Sequence, residues 1–152
     1  MKLLKLLSDG LSKLNQISAK KVKQHGAQYE VFGIFAFINY IVPYSMWSSS
    51  SHSNYGLLIS MRLIAGGTCF LLIIKDHWLP WFYKYLPLYW HCTLLYCLPF
   101  LTTFMLLDSQ GDTYWLLNLI LAMLLLSVLV DWRSLVFILP TGILLGYGFF
   151  LL

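Results

Sequence analysis

The chain is 152 residues long, 59% hydrophobic and 17% aromatic, with only 11% charged residues and a mean hydropathy of +0.73. A soluble domain carries about 25% charged residues, so this chain cannot clothe a globular surface in polar groups. A soluble enzyme, a disordered chain and a nucleic-acid-binding domain are all disfavoured. Ten Lys and Arg stand against six Asp and Glu, but six of the ten are Lys within the first 23 residues, beside a long apolar sequence. That pattern suits an anionic membrane surface.

Residues 1–24 form a first unit, a cytoplasmic basic segment. Leu3, Leu7, Leu11 and Leu14 recur at three- and four-residue spacing with Lys on other faces, which predicts an amphipathic helix on the membrane surface or a plain basic anchor. Residues 25–152 form the second unit, a transmembrane domain. A spanning helix needs roughly 17 to 25 apolar residues, and five stretches qualify: 31–47, 57–74, 89–107, 114–130 and 135–152. Lipid demands that each backbone be bonded within its own segment, so the fold class is all-α, a polytopic membrane helical bundle.

The connectors set the orientation. Lys2 to Lys23 precede the first span, the uncharged SSSSHSNYG follows it, and Lys75 and Lys84 lie in the next connector. The fourth, DSQGDT, has two Asp and no Lys or Arg, and the fifth, DWRS, holds Arg133. Basic residues alternate sides, which predicts a cytoplasmic N-terminus. Five spans then leave the apolar end GYGFFLL at the outer face, and the expectation is a fragment that stops before a sixth helix.

Polar groups at membrane depth are candidate sites. Arg62, in the second span, is either a donor to a ligand or a side chain that snorkels outward or pairs with Asp108 or Asp112. Trp115 and Asn118 are three apart and share a helical face; they could hold a ligand head group, or Trp115 could belong to an interfacial aromatic belt. Asn39, Thr68, Thr93, Thr102, Thr103 and, as its alternative to a head-group role, Asn118 read as packing glue between helices. Pro99 can kink the third span, and Phe100, Phe104 and Met105 are candidates to line the space so opened. Gly142 and Gly146 make a GxxxG that permits close helix contact. Asp76 beside Lys75, and Asp131 near Arg133, read as surface pairs.

Cys69, Cys92 and Cys97 sit in apolar stretches without metal-ligand spacing and read as small hydrophobes. No HExxH, GxSxG or phosphate-binding loop occurs in the sequence. No catalytic residue, metal or cofactor is expected, so the chain by itself is not an enzyme.

From Arg62 to Trp132 the sequence resembles the membrane sensor region of the vibrio- and legionella-type quorum-sensing histidine kinases that detect α-hydroxyketone autoinducers. The resemblance rests on Arg62, YLPLYW (Tyr85 to Trp90), LPF (Leu98 to Phe100), FMLL (Phe104 to Leu107), a short polar connector, Trp115, and SVLVDW (Ser127 to Trp132), in that order. It implies a six-helix sensor, of which five helices are present here, in the cell inner membrane as a homodimer. A cytoplasmic kinase region absent from this chain would follow. It implies that Trp115 stands near the ligand head group, while Asn118 falls where some members have Ser. The expected ligand is a small amphiphilic α-hydroxyketone, with Arg62, Trp115 and Asn118 as head-group donors and the lipid bilayer as the other partner. The competing expectations are a small transporter or channel subunit, and a non-catalytic structural membrane protein.

Overall fold

The computed structural model describes residues 27–41, 55–83 and 85–152. Helix α1 covers 27–41 and α2 runs Tyr55–Ile73. A single 3-10 turn, Lys75–His77, and the one-turn α3, Pro80–Tyr83, lead into α4, Leu86–Leu95. A π turn, Tyr96–Phe100, joins α4 to α5, Leu101–Asp108. Helix α6, Thr113–Leu129, and α7, Trp132–Phe150, complete the chain. No strand occurs among the described residues.

Three helical stretches among the described residues are long and apolar enough to cross a membrane: Gly56–Ile73, Leu86–Asp108 and Trp132–Phe150. Helix α6, at 17 residues, is at the short end of the spanning range of roughly 17 to 25. These coincide with four of the expected spans. The expected 31–47 is helical as far as residue 41; the rest of it, and the amphipathic segment 1–24, lie outside the described residues. This is a helical membrane protein.

The α4–α5 helix passes through the core, and Pro99 explains its irregularity. Proline lacks an N–H, and the register slips by one residue here. Leu101's N–H reaches back to the Tyr96 carbonyl where an α-helix would use that of Cys97. Such π turns occur where a helix must absorb an irregularity. The Cys97 carbonyl instead accepts the hydroxyl of Tyr40 from α1, at 2.5 Å. The same device recurs twice: Tyr96 donates to the Met61 carbonyl at 3.0 Å and Tyr89 to the Thr68 carbonyl at 2.8 Å. Carbonyl oxygens keep a second lone pair when helix-bonded, so a tyrosine can tie two helices without breaking either.

On the other side, α7 lies against the π turn and α5. A Cβ on Gly142 would stand 2.4 Å from a Pro99 ring carbon, and one on Gly146 would stand 2.7 Å from the Phe100 carbonyl oxygen. The GxxxG is therefore spent inside the bundle, bringing α7 onto the π turn. At the α5–α6 connector, Gln110 (φ 57°) and Gly111 (φ 83°) are left-handed, a conformation that costs a glycine little. It reverses the chain in a few residues.

One expectation is corrected at the end where α2 stops. Lys75 is no surface residue: its side chain is 4% exposed and pairs with Glu30 of α1 as well as with Asp76. The sequence shows Asp76 next to Lys75; only the fold shows that Glu30 arrives from the other side.

Candidate functional site

Four helices place polar side chains around one small cavity of ≈ 30 Å³. Helix α1 contributes Asn39 and Tyr40, α2 contributes Arg62, α5 contributes Thr102 and Met105, and α6 contributes Tyr114, Trp115 and Asn118. All lie at the end of the bundle where α1 and α5 finish and α2 and α6 start. The three-residue spacing of Trp115 and Asn118 sets both on the inward face of α6, and Trp115 is 8% exposed. Its ring meets Tyr114 edge-on at 5.5 Å. Thr102 turns its hydroxyl back to the Leu98 carbonyl, and Tyr40 commits its own to Cys97. These two serve as walls.

The cavity adjoins a larger, mostly apolar groove of ≈ 250 Å³ between α1, the π turn and α6. The two spaces share Asn39, Tyr40, Thr102 and Asn118. From there the groove is lined by Phe32, Phe35 and Ala36 on one side and by Leu121, Ala122 and Leu125 on the other. Thus a polar end continues into an apolar trough. The donor inventory of the polar end is lopsided: Arg carries five N–H donors and Trp one, and neither accepts. Asn39 and Asn118 can do either. Such a set suits a ligand rich in acceptor oxygens.

Of the six residues expected at the site, the fold gathers Arg62, Trp115, Asn118 and Met105 around the polar cavity. It sends Phe100 and Phe104 elsewhere. Phe100 stacks on Tyr96 at 5.2 Å and meets Phe149 at 5.9 Å, and Phe104 meets Phe149 at 5.6 Å. The space expected beside Pro99 is taken by α7. The sequence gives Tyr114 no site role and makes Asn39 packing glue between helices. Tyr114 adjoins Trp115, and Asn39 is a strong hydrogen-bonding group in a span, but nothing local says which way α1 turns it.

Cys69 and Cys97 are fully buried and free, with sulfurs 3.7 Å apart. Among the described residues, no three His, Cys, Asp or Glu side chains come together in a way that could hold a metal.

No protein-family model matches the chain, and no solved structure matches it. Among curated proteins the chain is similar to the CAI-1 autoinducer sensor kinase/phosphatase CqsS of Vibrio cholerae serotype O1. The two are 29% identical over 98 residues, which is 64% of this chain and 14% of that protein. The match therefore spans a small part of a much longer relative, and that relative is a sensor kinase.

Proposed function

We propose that this chain is the membrane sensor part of a quorum-sensing histidine kinase receptor. Its ligand is a small amphiphile with an α-hydroxyketone head and an alkyl tail. The observation that carries the reading is the donor-rich cavity at Arg62, Trp115 and Asn118 opening into an apolar groove between α1 and α6. The ketone and hydroxyl oxygens accept from Arg62 and Trp115, Asn118 reads the second head-group function, and the tail lies along Ala36 and Ala122. A tail gains about 0.8 kcal/mol for each CH₂ taken out of water, so the ligand concentrates in the bilayer and enters from it. The protein sits in the inner membrane with its N-terminus in the cytoplasm, crosses five times within these residues, and works as a homodimer coupled to a cytoplasmic kinase region. Ligand shifts signalling only by binding one helix arrangement better than another.

The test is a dose–response series in the full-length receptor at matched protein levels. A buried hydrogen-bonding group left unpaired costs about 1–3 kcal/mol. Trp115→Phe keeps a ring but loses the N–H, so it weakens the response about 5- to 150-fold. Asn118→Ser changes which head group is preferred, ketone against amine, more than it changes overall affinity. Curves for both variants that overlay the wild type would remove the head-group assignment.

A further inference from the structure

Two matching stripes wall the groove between α1 and α6. On α1, Phe32, Ala36 and Asn39 recur at four- and three-residue spacing, and on α6, Asn118, Ala122 and Leu125 do the same, so each set lies on one helical face. Helix α1 finishes where α6 starts, so both stripes carry their amide at the same end. Asn39 and Asn118 also line the small polar cavity. They stand at the neck where that cavity passes into the groove.

Both amides are unspent. Among the described residues, neither Asn39 nor Asn118 has a hydrogen-bond partner. Tyr40 and Thr102 share the neck but have committed their protons to the Cys97 and Leu98 carbonyls. An amide without a partner is costly in a membrane helix, and Asn is a poor helix former, so helix packing alone does not account for two of them at one neck. A carboxamide offers two N–H donors and an acceptor oxygen, whereas Arg62 and Trp115 in the cavity only donate. Donors alone satisfy a ligand carbonyl. A ligand hydroxyl also has a proton to give, and the neck supplies an acceptor for it.

Taking the cavity and groove as the ligand site, we propose that Asn39 is a specificity-determining residue. With Asn118 it holds the second oxygen of a two-oxygen head group at the neck and takes its hydroxyl proton. The first oxygen lies in the cavity, and the tail continues between Ala36 and Ala122. A ligand with one oxygen puts a methylene at the neck and leaves both amides unpaired, so the receptor prefers an α-hydroxyketone to the plain ketone of the same length.

The test compares two probes on one dodecane skeleton, the α-hydroxyketone and the plain ketone, by dose–response in the full-length receptor at matched protein levels. Asn39→Leu keeps the size of the side chain and removes the amide. It is expected to weaken the response to the hydroxyketone about five-fold or more and to leave the plain ketone within about two-fold, so the preference shrinks. Asn39→Gln keeps an amide and retains part of the preference. Trp115→Phe loses a donor that both probes use, so it weakens both and keeps the preference. If Asn39→Leu leaves the ratio of the two responses at the wild-type value while Trp115→Phe weakens both, the site stands, Asn39 only packs helices, and the proposal is overturned alone. If Trp115→Phe also changes nothing, the head-group site falls and the proposal with it. Asn39→Ala, which removes the amide without crowding the neck, carries the same comparison where Asn39→Leu fails to accumulate.

Discussion

The π turn at Pro99 has two sides built to opposite ends. Facing α7, the chain is closed: Gly142 and Gly146 bring helix backbone against Pro99 and Phe100 with no room for a Cβ. Facing α1 and α6, it is open, and a groove of ≈ 250 Å³ remains although Ala36 and Ala122 are as well covered as core residues. Small residues act differently on the two sides because of what holds the helices. Nothing bulky separates α7 from the π turn, so the glycines set the approach. On the other side, Tyr40 ties α1 to the π turn through the Cys97 carbonyl, and Ala36 and Ala122 face each other across a groove that stays open. Rigidity on one face and room on the other is what a helical sensor needs if ligand is to move one set of helices against a fixed one.

The largest expected effect comes from breaking the closed side. Gly142→Val places methyl groups where the Pro99 ring already stands, and neither proline nor helix backbone can step aside. Overpacking of this kind costs about 1–3 kcal/mol and occasionally more; with a ring carbon 2.4 Å from the new Cβ, the upper end applies. The purified variant unfolds at lower temperature or fails to accumulate. Gly148→Val is the control, since no atom lies within 4 Å of its Cβ position, and an equal loss in both would show that the contact with Pro99 does not matter.

Filling the open side gives a different result. Ala122 lines the groove, so Ala122→Leu is expected to shorten the proposed tail site, with the thermal midpoint of the purified variant measured alongside to show that the fold is kept. Each methylene that no longer fits forfeits about 0.8 kcal/mol, about four-fold in affinity. A series of α-hydroxyketones of increasing tail length then separates variant from wild type at the long end and not at the short end. A uniform shift across all lengths would mean the tail does not run past Ala122.

The same contrast marks what the sequence could and could not tell. Apolar runs of about 17 residues or more announce the helices, since lipid leaves a chain few other options. Trp115 and Asn118 were legible as a pair because three-residue spacing is a local property, and Arg62 stood out as a cation in an apolar run. Phe100 and Phe104 were expected beside a kink, but a proline alone does not say whether the space it frees stays empty. The answer lay some forty residues on, in Gly142 and Gly146, whose spacing was visible but whose partner was not. Asn39 was likewise invisible as a wall of the polar cavity. A helix with little amphipathic contrast hides which face turns inward, and only the packing of α1 on α2 and the π turn decides it.

The smallest expected effect lies far from both faces, at the Lys75–Glu30 pair. Burial by itself pulls the Lys75 ammonium down, but hydrogen bonds to Glu30 and Asp76, with their charges, outweigh it and hold the pKa above the ordinary lysine value. A pKa higher in the folded than in the unfolded chain means that the stabilisation is whole below about pH 10.4 and is lost as pH rises through the folded value. The Glu30 side chain is 43% exposed, so water screens the pair, and its worth is discounted to about 1 kcal/mol. Glu30→Gln keeps the shape and removes the charge. Thermal midpoints measured from about pH 8 to about pH 11 should start higher in the wild type and converge with the variant at the alkaline end. Taking the difference between the two chains cancels the tyrosines and other groups that titrate in the same range. Parallel curves would mean that the pair carries no linked proton. Because the pair ties α1 to the end of α2 opposite the polar cavity, ligand response at neutral pH should stay within about two-fold of the wild type, so the fixed end can loosen without disturbing the proposed head-group site.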